Sequence, residues 1–299
     1  MGFWEERARL EDRRAVVVGG GAGIGRAVTT ALARAGVHVA FCDNDPEALA
    51  ATRDALTGEG RPVILAKLAD ALDVAQLNGF FDEVEAQFGA VEILVNVVGG
   101  VLKRPFMDTG PADWAADIHR NYGYALHAIH RAVPMMRQAG RGSIVNFTTI
   151  EAHRGAASVA VYAGAKAALS NFSRSLAVEL GGEGIRVNAI ASDHTPSAGN
   201  EKALPPERKA RIAALPPGAW EAGFAMVIPL KVRPPADALG DAVLFLASDL
   251  SAYATGVTLH VDGGTWAASG VLDWPNGDGY SPLPGATAGL MFPAKAEAP

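Results

Sequence analysis

The sequence predicts an α/β fold: a doubly wound parallel sheet with helices on both faces, in a single domain. Three observations predict it. Seven short runs, at residues 15–18, 37–42, 62–66, 92–97, 143–147, 186–190 and 257–261, are continuously apolar or β-branched rather than alternating, as strands buried on both faces require. Stretches with helical spacing lie between them, and a strand–helix–strand rhythm of this kind closes through right-handed crossovers. The chain has 299 residues, 49% of them hydrophobic, which is enough to bury a substantial core.

The elements follow in order. Residues 1–14 form a charged N-terminal extension without the apolar core of a signal peptide. After the first strand a glycine cluster opens a helix over 24–35, with Ile24, Val28, Ala31, Leu32 and Ala35 on one face and Gly36 as its stop. Val74, Leu77, Phe81, Val84 and Phe88 keep helical spacing up to Gly89. Two segments break the rhythm. Residues 193–235 hold polar and Pro-rich pieces around Trp220, Phe224, Met226, Val227, Ile228 and Leu230. They read as an irregular insertion with some helix, of the kind that serves as a lid over a binding site. Residues 267–299 form a Gly- and Pro-rich tail that keeps Trp274, Tyr280 and Phe292. Burying those rings is favourable, so the tail is expected to dock across a subunit boundary or over a pocket mouth. The main domain spans 15–266.

Composition excludes several functions. With 26 Lys+Arg against 32 Asp+Glu, a net charge of −6 and no basic cluster, a nucleic-acid surface is not expected. No apolar run reaches membrane-spanning length. A single cysteine, Cys42, permits neither an intrachain disulfide nor a Cys-based zinc site and suits a reducing cytosol. A soluble cytoplasmic protein is expected.

Two constellations carry chemistry. Gly19-Gly20-Gly21-Ala22-Gly23-Ile24-Gly25 joins the first strand to the first helix. Glycines there let the backbone turn sharply and approach a pyrophosphate, which the helix N-terminus attracts. The second strand ends in Asp43, 18 residues after Gly25, where a carboxylate accepts from both ribose hydroxyls and repels a 2′-phosphate. A turn or helix-cap role beside Asn44, Asp45 and Pro46 is the structural alternative. Tyr162 and Lys166 sit at i and i+4, on one helix face. A lysine cation beside a phenol lowers the tyrosine pKa, and Tyr162 then becomes a general acid/base for a hydroxyl or carbonyl oxygen.

Further motifs keep them company: Asn96-Val97-Val98-Gly99 after the fourth strand, Asn121 in the next helix, Gly142-Ser143-Ile144-Val145-Asn146, Arg186-Val187-Asn188-Ala189-Ile190, and Val261-Asp262-Gly263-Gly264. In this order and spacing the chain resembles the classical short-chain dehydrogenase/reductase family over about residues 10–266. The resemblance implies a Rossmann-like dinucleotide-binding catalytic domain and hydride transfer between a nicotinamide and a secondary alcohol or ketone. By position it makes Tyr162 the proton donor or acceptor. Lys166 holds the nicotinamide ribose, Asn121 supports the proton relay, and Asp70 meets the adenine amino group. Gly19, Gly21, Gly23, Ile24, Gly25, Asn96 and Gly99 complete the cofactor contacts, with Thr195 or Ser197 at the carboxamide. A homo-oligomer, commonly a tetramer, is also implied.

The chain departs from the family pattern in places. Thr149, preceded by Thr148, stands 13 residues before Tyr162, where the family has a serine. It keeps the hydroxyl that polarises a carbonyl but has a stiffer rotamer. Val18 replaces a threonine, Val97 and Val98 replace Asn-Ala, and Ser192-Asp193 replaces Pro-Gly. His153 lies on the segment bordering the substrate in this family, where a substrate contact and a plain loop role weigh about equally, and His194 is similar. His127 and His130 lack a metal-site pattern, and no metal is expected. Asp43, with Ala22 rather than a basic residue in the loop, points to NAD. The insertion, with Trp220, suggests a bulky hydrophobic alcohol as substrate. Two alternatives remain: an NADPH-dependent 3-oxoacyl-thioester-type reductase, and a non-catalytic dinucleotide-binding sensor.

Overall fold

A computed structural model of the chain describes residues 2–61, 63–101, 103–193, 195, 206–274 and 279–282. Seven strands, β1 (Arg14–Val18), β2 (His38–Asp43), β3 (Val63–Leu68), β4 (Ile93–Asn96), β5 (Gly142–Thr149), β6 (Ile185–Ser192) and β7 (Thr258–Val261), form one sheet. Its order is β3-β2-β1-β4-β5-β6-β7, parallel at every pairing. All seven sequence runs fall on these strands. The runs at 143–147 and 186–190 lengthen by one to two residues at either end, because Thr148, Thr149, Ala191 and Ser192 continue the β5–β6 ladder.

Strand side chains alternate between two apolar layers. Val16, Val18, Leu94, Ile144 and Val187 pack under α4 (Val74–Phe88), α6 (Tyr124–Ala139) and α7 (Ala160–Leu180). Val17, Phe41, Val95, Val145 and Ile190 pack under α2 (Gly23–Arg34), α3 (Pro46–Gly58) and α10 (Ala236–Ala247). Local chemistry bounds the helices. Asp45 caps α3 and Asp73 caps α4 by accepting from the first-turn amides, and Gly89, at φ 68°, ends α4. The N-terminal extension, which holds the short α1 (Phe3–Ala8), is not wholly separate: Leu10 joins the core, and Arg13 donates to the Ala247 carbonyl at 2.9 Å and to Asp249 at 2.8 Å.

The insertion contains α8 (Pro206–Ala213) and α9 (Ala219–Val227). Ile228, fully buried, anchors it against Gly263, and Leu230 N donates to the Gly263 carbonyl at 3.1 Å. Part of the tail forms a small antiparallel hairpin of β8 (Leu272–Asp273) and β9 (Tyr280–Ser281). This hairpin docks on the insertion within the same chain: Lys231 Nζ bonds Asp273 and the Tyr280 hydroxyl and stands 4.6 Å from the Tyr280 ring centre. Phe292 lies outside the described residues. No helix among them is long and apolar enough to cross a membrane.

Candidate active site

β1 and β4 are neighbours whose connections leave on opposite sides, so a crevice opens at their carboxyl ends, the usual ligand position in such sheets. The glycine loop forms its floor. Gly19 and Gly20 both donate to the Cys42 carbonyl at 2.9 Å, Thr29 holds the Gly20 carbonyl, and Thr52 holds that of Gly21. Gly19 adopts φ 84°. A Cβ at Gly25 would lie 1.7 Å from the Gly19 carbonyl oxygen, so any side chain there would break the loop. Thr29 and Thr52 were not legible as loop braces, since a helix threonine carries no mark of what its hydroxyl touches.

A cleft of about 490 Å³ runs from this loop to Tyr162. Gly19, Ile24, Gly25, Asp43 and Asp70 line one end, and Gly99, Thr149, Tyr162, Lys166 and Thr195 the other. The residues fit a dinucleotide. The first turn of α2 has no side-chain cap and no acidic residue, so its amides are offered to phosphate. Asp43 serves both readings: it lines the cleft, and its carboxylate also accepts from Gly21 N at 2.8 Å and Asp45 N at 3.0 Å. Asp70 lines the cleft as well, while Asp73 is the residue that caps α4. Gly21 and Gly23 shape the loop without lining the cleft, and Gly23 does so at φ 51°.

Thr149, Tyr162 and Lys166 line the far end, and Asn121, fully buried, lies behind it without lining the cleft. Lys166 is buried, and its Nζ donates to the Phe147 carbonyl at 2.9 Å. Desolvation pulls the ammonium down to about 8. The depressed phenol expected for Tyr162 is absent. Burial pushes it up to about 12, a hydrogen bond with Thr149 opposes that, and Glu151, Asp193 and Asp117 add to it. Asn121 sits in a π-helical turn, His119–Gly123, an irregularity that often marks functional helices. Its side-chain oxygen accepts from Gly100 N at 3.1 Å, and its amide donates to the Gly100 and Asp117 carbonyls, both at 3.0 Å. Asn121 thereby fixes the loop after β4 beside Lys166.

Other expected site residues lie elsewhere. Asn96 is fully buried off the cleft and donates to Asn146 at 2.8 Å. Asn146 in turn donates to Ser173. His153 does not line the cleft; its ring packs 5.0 Å from that of His260, which packs on Trp266, and burial lowers the pKa of both imidazoles. Trp220 stacks edge-on with Phe224 away from the cleft. Thr195 lines the cleft with its hydroxyl on the Asp193 carbonyl. Ser197 and His194 lie outside the described residues. Sequence reasoning missed Glu151, Lys103 and Arg120, which also line the cleft. Charged residues are too common on loops and helical turns to stand out without a fold.

Comparison with known proteins agrees with this geometry. A family model described as Enoyl-(Acyl carrier protein) reductase matches residues 19–265. The chain is 31% identical over 255 residues to D-xylose 1-dehydrogenase of Caulobacter vibrioides, covering 85% of this chain and 96% of that one. It is 31% identical over 257 residues to a 3-oxoacyl-(acyl-carrier-protein) reductase of Escherichia coli K12, covering 86% and 98%. The crystal structure of levodione reductase superimposes with a TM-score of 0.78 at 29% identity, over 86% of this chain and 99% of that one. With the crevice, the glycine loop and the Tyr162–Lys166 pair in place, the chain belongs to the short-chain dehydrogenase/reductase family and is an oxidoreductase acting on CH–OH donors.

Proposed function

We propose that the protein is an NAD-dependent dehydrogenase/reductase that interconverts a secondary alcohol and its ketone, with Tyr162 moving the proton. The observation that carries this reading is the meeting of Tyr162, Thr149 and buried Lys166 at one end of a cleft whose other end holds Asp43. When bound, the nicotinamide dinucleotide supplies the hydride acceptor or donor. Tyr162 takes the proton from the substrate hydroxyl in oxidation and returns it to the carbonyl oxygen in reduction. Thr149 holds that oxygen beside the phenol. Lys166, charged below about pH 8, binds the ribose and stabilises a phenolate. Asn121 keeps the Gly100 loop and Lys166 in register.

Asp43 supports NAD over NADP, because a carboxylate fixed at the end of β2 repels a 2′-phosphate. The Escherichia coli relative favours a second reading, an NADPH-dependent 3-oxoacyl-thioester reductase, and Asp43 and Ala22 weigh against it. Intact Asn121, Tyr162 and Lys166 weigh against a non-catalytic sensor. The bulky hydrophobic substrate suggested by the insertion gains nothing from Trp220, which lies away from the cleft, and the lining mixes apolar Val98, Val101 and Val159 with charged Lys103, Arg120 and Glu151. The working unit is proposed to be a cytoplasmic homotetramer, for which exposed Val178, Phe245 and Tyr253 supply apolar surface.

A screen of NAD⁺ and NADP⁺ against cyclic, polyhydroxylated and acyl secondary alcohols, read by reduced-nicotinamide absorbance, tests this reading. NAD⁺ is expected to give the higher kcat/KM. Because Asp43 also braces the glycine loop, Asp43→Asn is the informative variant: it keeps an acceptor, removes the charge and should narrow the preference. Equal or tighter binding of NADPH to the unaltered protein would overturn the NAD assignment.

A further inference from the structure

A threonine hydroxyl has one proton to give, and here Thr149 gives it to the chain itself. Thr149 Oγ1 donates to Glu151 Oε2, and Glu151 N turns back toward the same Oγ1 at 3.4 Å. The other carboxylate oxygen, Oε1, stands 3.3 Å from the Arg154 guanidinium. The Glu151 side chain is only 18% exposed, and it lines the cleft beside Tyr162 and Asp193.

This arrangement sets a condition on the substrate. To hydrogen-bond a carbonyl oxygen, Thr149 must withdraw its proton from Glu151. A largely buried carboxylate that loses its donor is costly unless another replaces it. An apolar substrate brings no donor. A substrate with a hydroxyl on the carbon next to the reacting one does, because that hydroxyl can donate to Glu151 while the reacting oxygen accepts from Thr149. A cationic group would serve less well, since Arg154 already neutralises Glu151 and Lys103 and Arg120 line the same cleft. We propose that Glu151 is the specificity-determining acceptor of this site and that its substrate is a vicinal diol, a polyhydroxylated compound of the sugar or polyol class.

The inference rests on the oxidoreductase reading above, and one experiment separates their failures. The full-length protein with NAD⁺ is assayed on cyclohexanol, on cis- and trans-1,2-cyclohexanediol and on 2-aminocyclohexanol. The better diol isomer is expected to exceed cyclohexanol in kcat/KM by about 10²-fold or more, as sites built to bind a hydroxyl discriminate strongly against analogues that lack it. In Glu151→Ala that ratio should fall to within about threefold of unity, and Glu151→Gln, a neutral acceptor of the same size, should give an intermediate ratio. A merely structural glutamate would lower both substrates alike and leave the ratio unchanged. If Glu151→Ala does not fold, a Glu151→Gln ratio equal to the unaltered protein's contradicts the proposal. Cyclohexanol or the amino alcohol turned over as well as the diol overturns the inference alone. No turnover of any alcohol, with dinucleotide still binding, overturns the oxidoreductase reading and the inference with it.

Discussion

At Lys166 burial and chemistry pull in opposite directions. The ammonium is 4% exposed and sits at about 8, below its ordinary 10.5. A lysine whose pKa is lower in the folded state binds its proton less well there than in the unfolded chain. The penalty is therefore fully present below about pH 8 and fades as pH rises from about 8 toward 10.5. Lys166→Met should raise Tm at pH 7 by about 2–4 °C, with a smaller gain at pH 10, while losing most turnover. Calorimetry at both pH values checks this, and a lower Tm at pH 7 would contradict it. Spacing alone identified Tyr162 and Lys166 as partners, because i and i+4 share a helix face. It gave the wrong direction for the Tyr162 shift, because burial and the carboxylates of Glu151 and Asp193, which raise the phenol, come from other elements.

Among the elements, the strands were the most legible. Buried parallel strands such as β1 and β4 leave uninterrupted apolar runs, whereas α3 and its cap Asp45 went unread. The π-helical turn at Asn121 was not legible, since one extra residue in a turn leaves the apolar spacing of α5 (Pro111–Ile118) and α6 almost unchanged. Several family motifs proved to be architectural. Arg186 holds the Leu246 and Ser248 carbonyls, Asn188 bridges to Ala254 and Val257, and Asp262 caps the turn to Trp266. The aromatic tail signalled docking, read as reaching a subunit boundary or a pocket mouth; the partner of its described hairpin, Lys231, is a charged loop residue that the sequence does not mark. Lys231 bonds the Ala225 carbonyl as well as the hairpin. Truncation after Gly270 and Lys231→Ala should therefore act in the same direction, lowering Tm and raising substrate KM with dinucleotide affinity unchanged. Thermal denaturation and steady-state kinetics on both variants check this. Truncated protein matching the full chain on both measures would leave the hairpin without a bracing role.

For the whole molecule, the two apolar layers fix a sheet that brings residues from β1, β2, β4, β5, β6 and α7 to one cleft. The sequence located both ends of that cleft but not the polar lining between them. The electrostatics of the assembled site set its response to pH. With Tyr162 held near 12 in the free protein, ketone reduction should be flat through neutral pH. Alcohol oxidation, which needs the phenolate, should rise by up to about tenfold per pH unit between pH 6 and 8. Initial rates in both directions across that range check the asymmetry. The central claim is that Tyr162 moves the proton in a dinucleotide-binding cleft. The measurement that tests it most directly compares the unaltered protein with Tyr162→Phe for NADH affinity, by fluorescence titration, and for turnover. NADH affinity should stay within about threefold, since only the titrating hydroxyl is removed, while turnover falls by about 10²–10⁴-fold. Turnover equal to that of the unaltered protein, with NADH bound equally well, would remove Tyr162 from the chemistry and contradict the account.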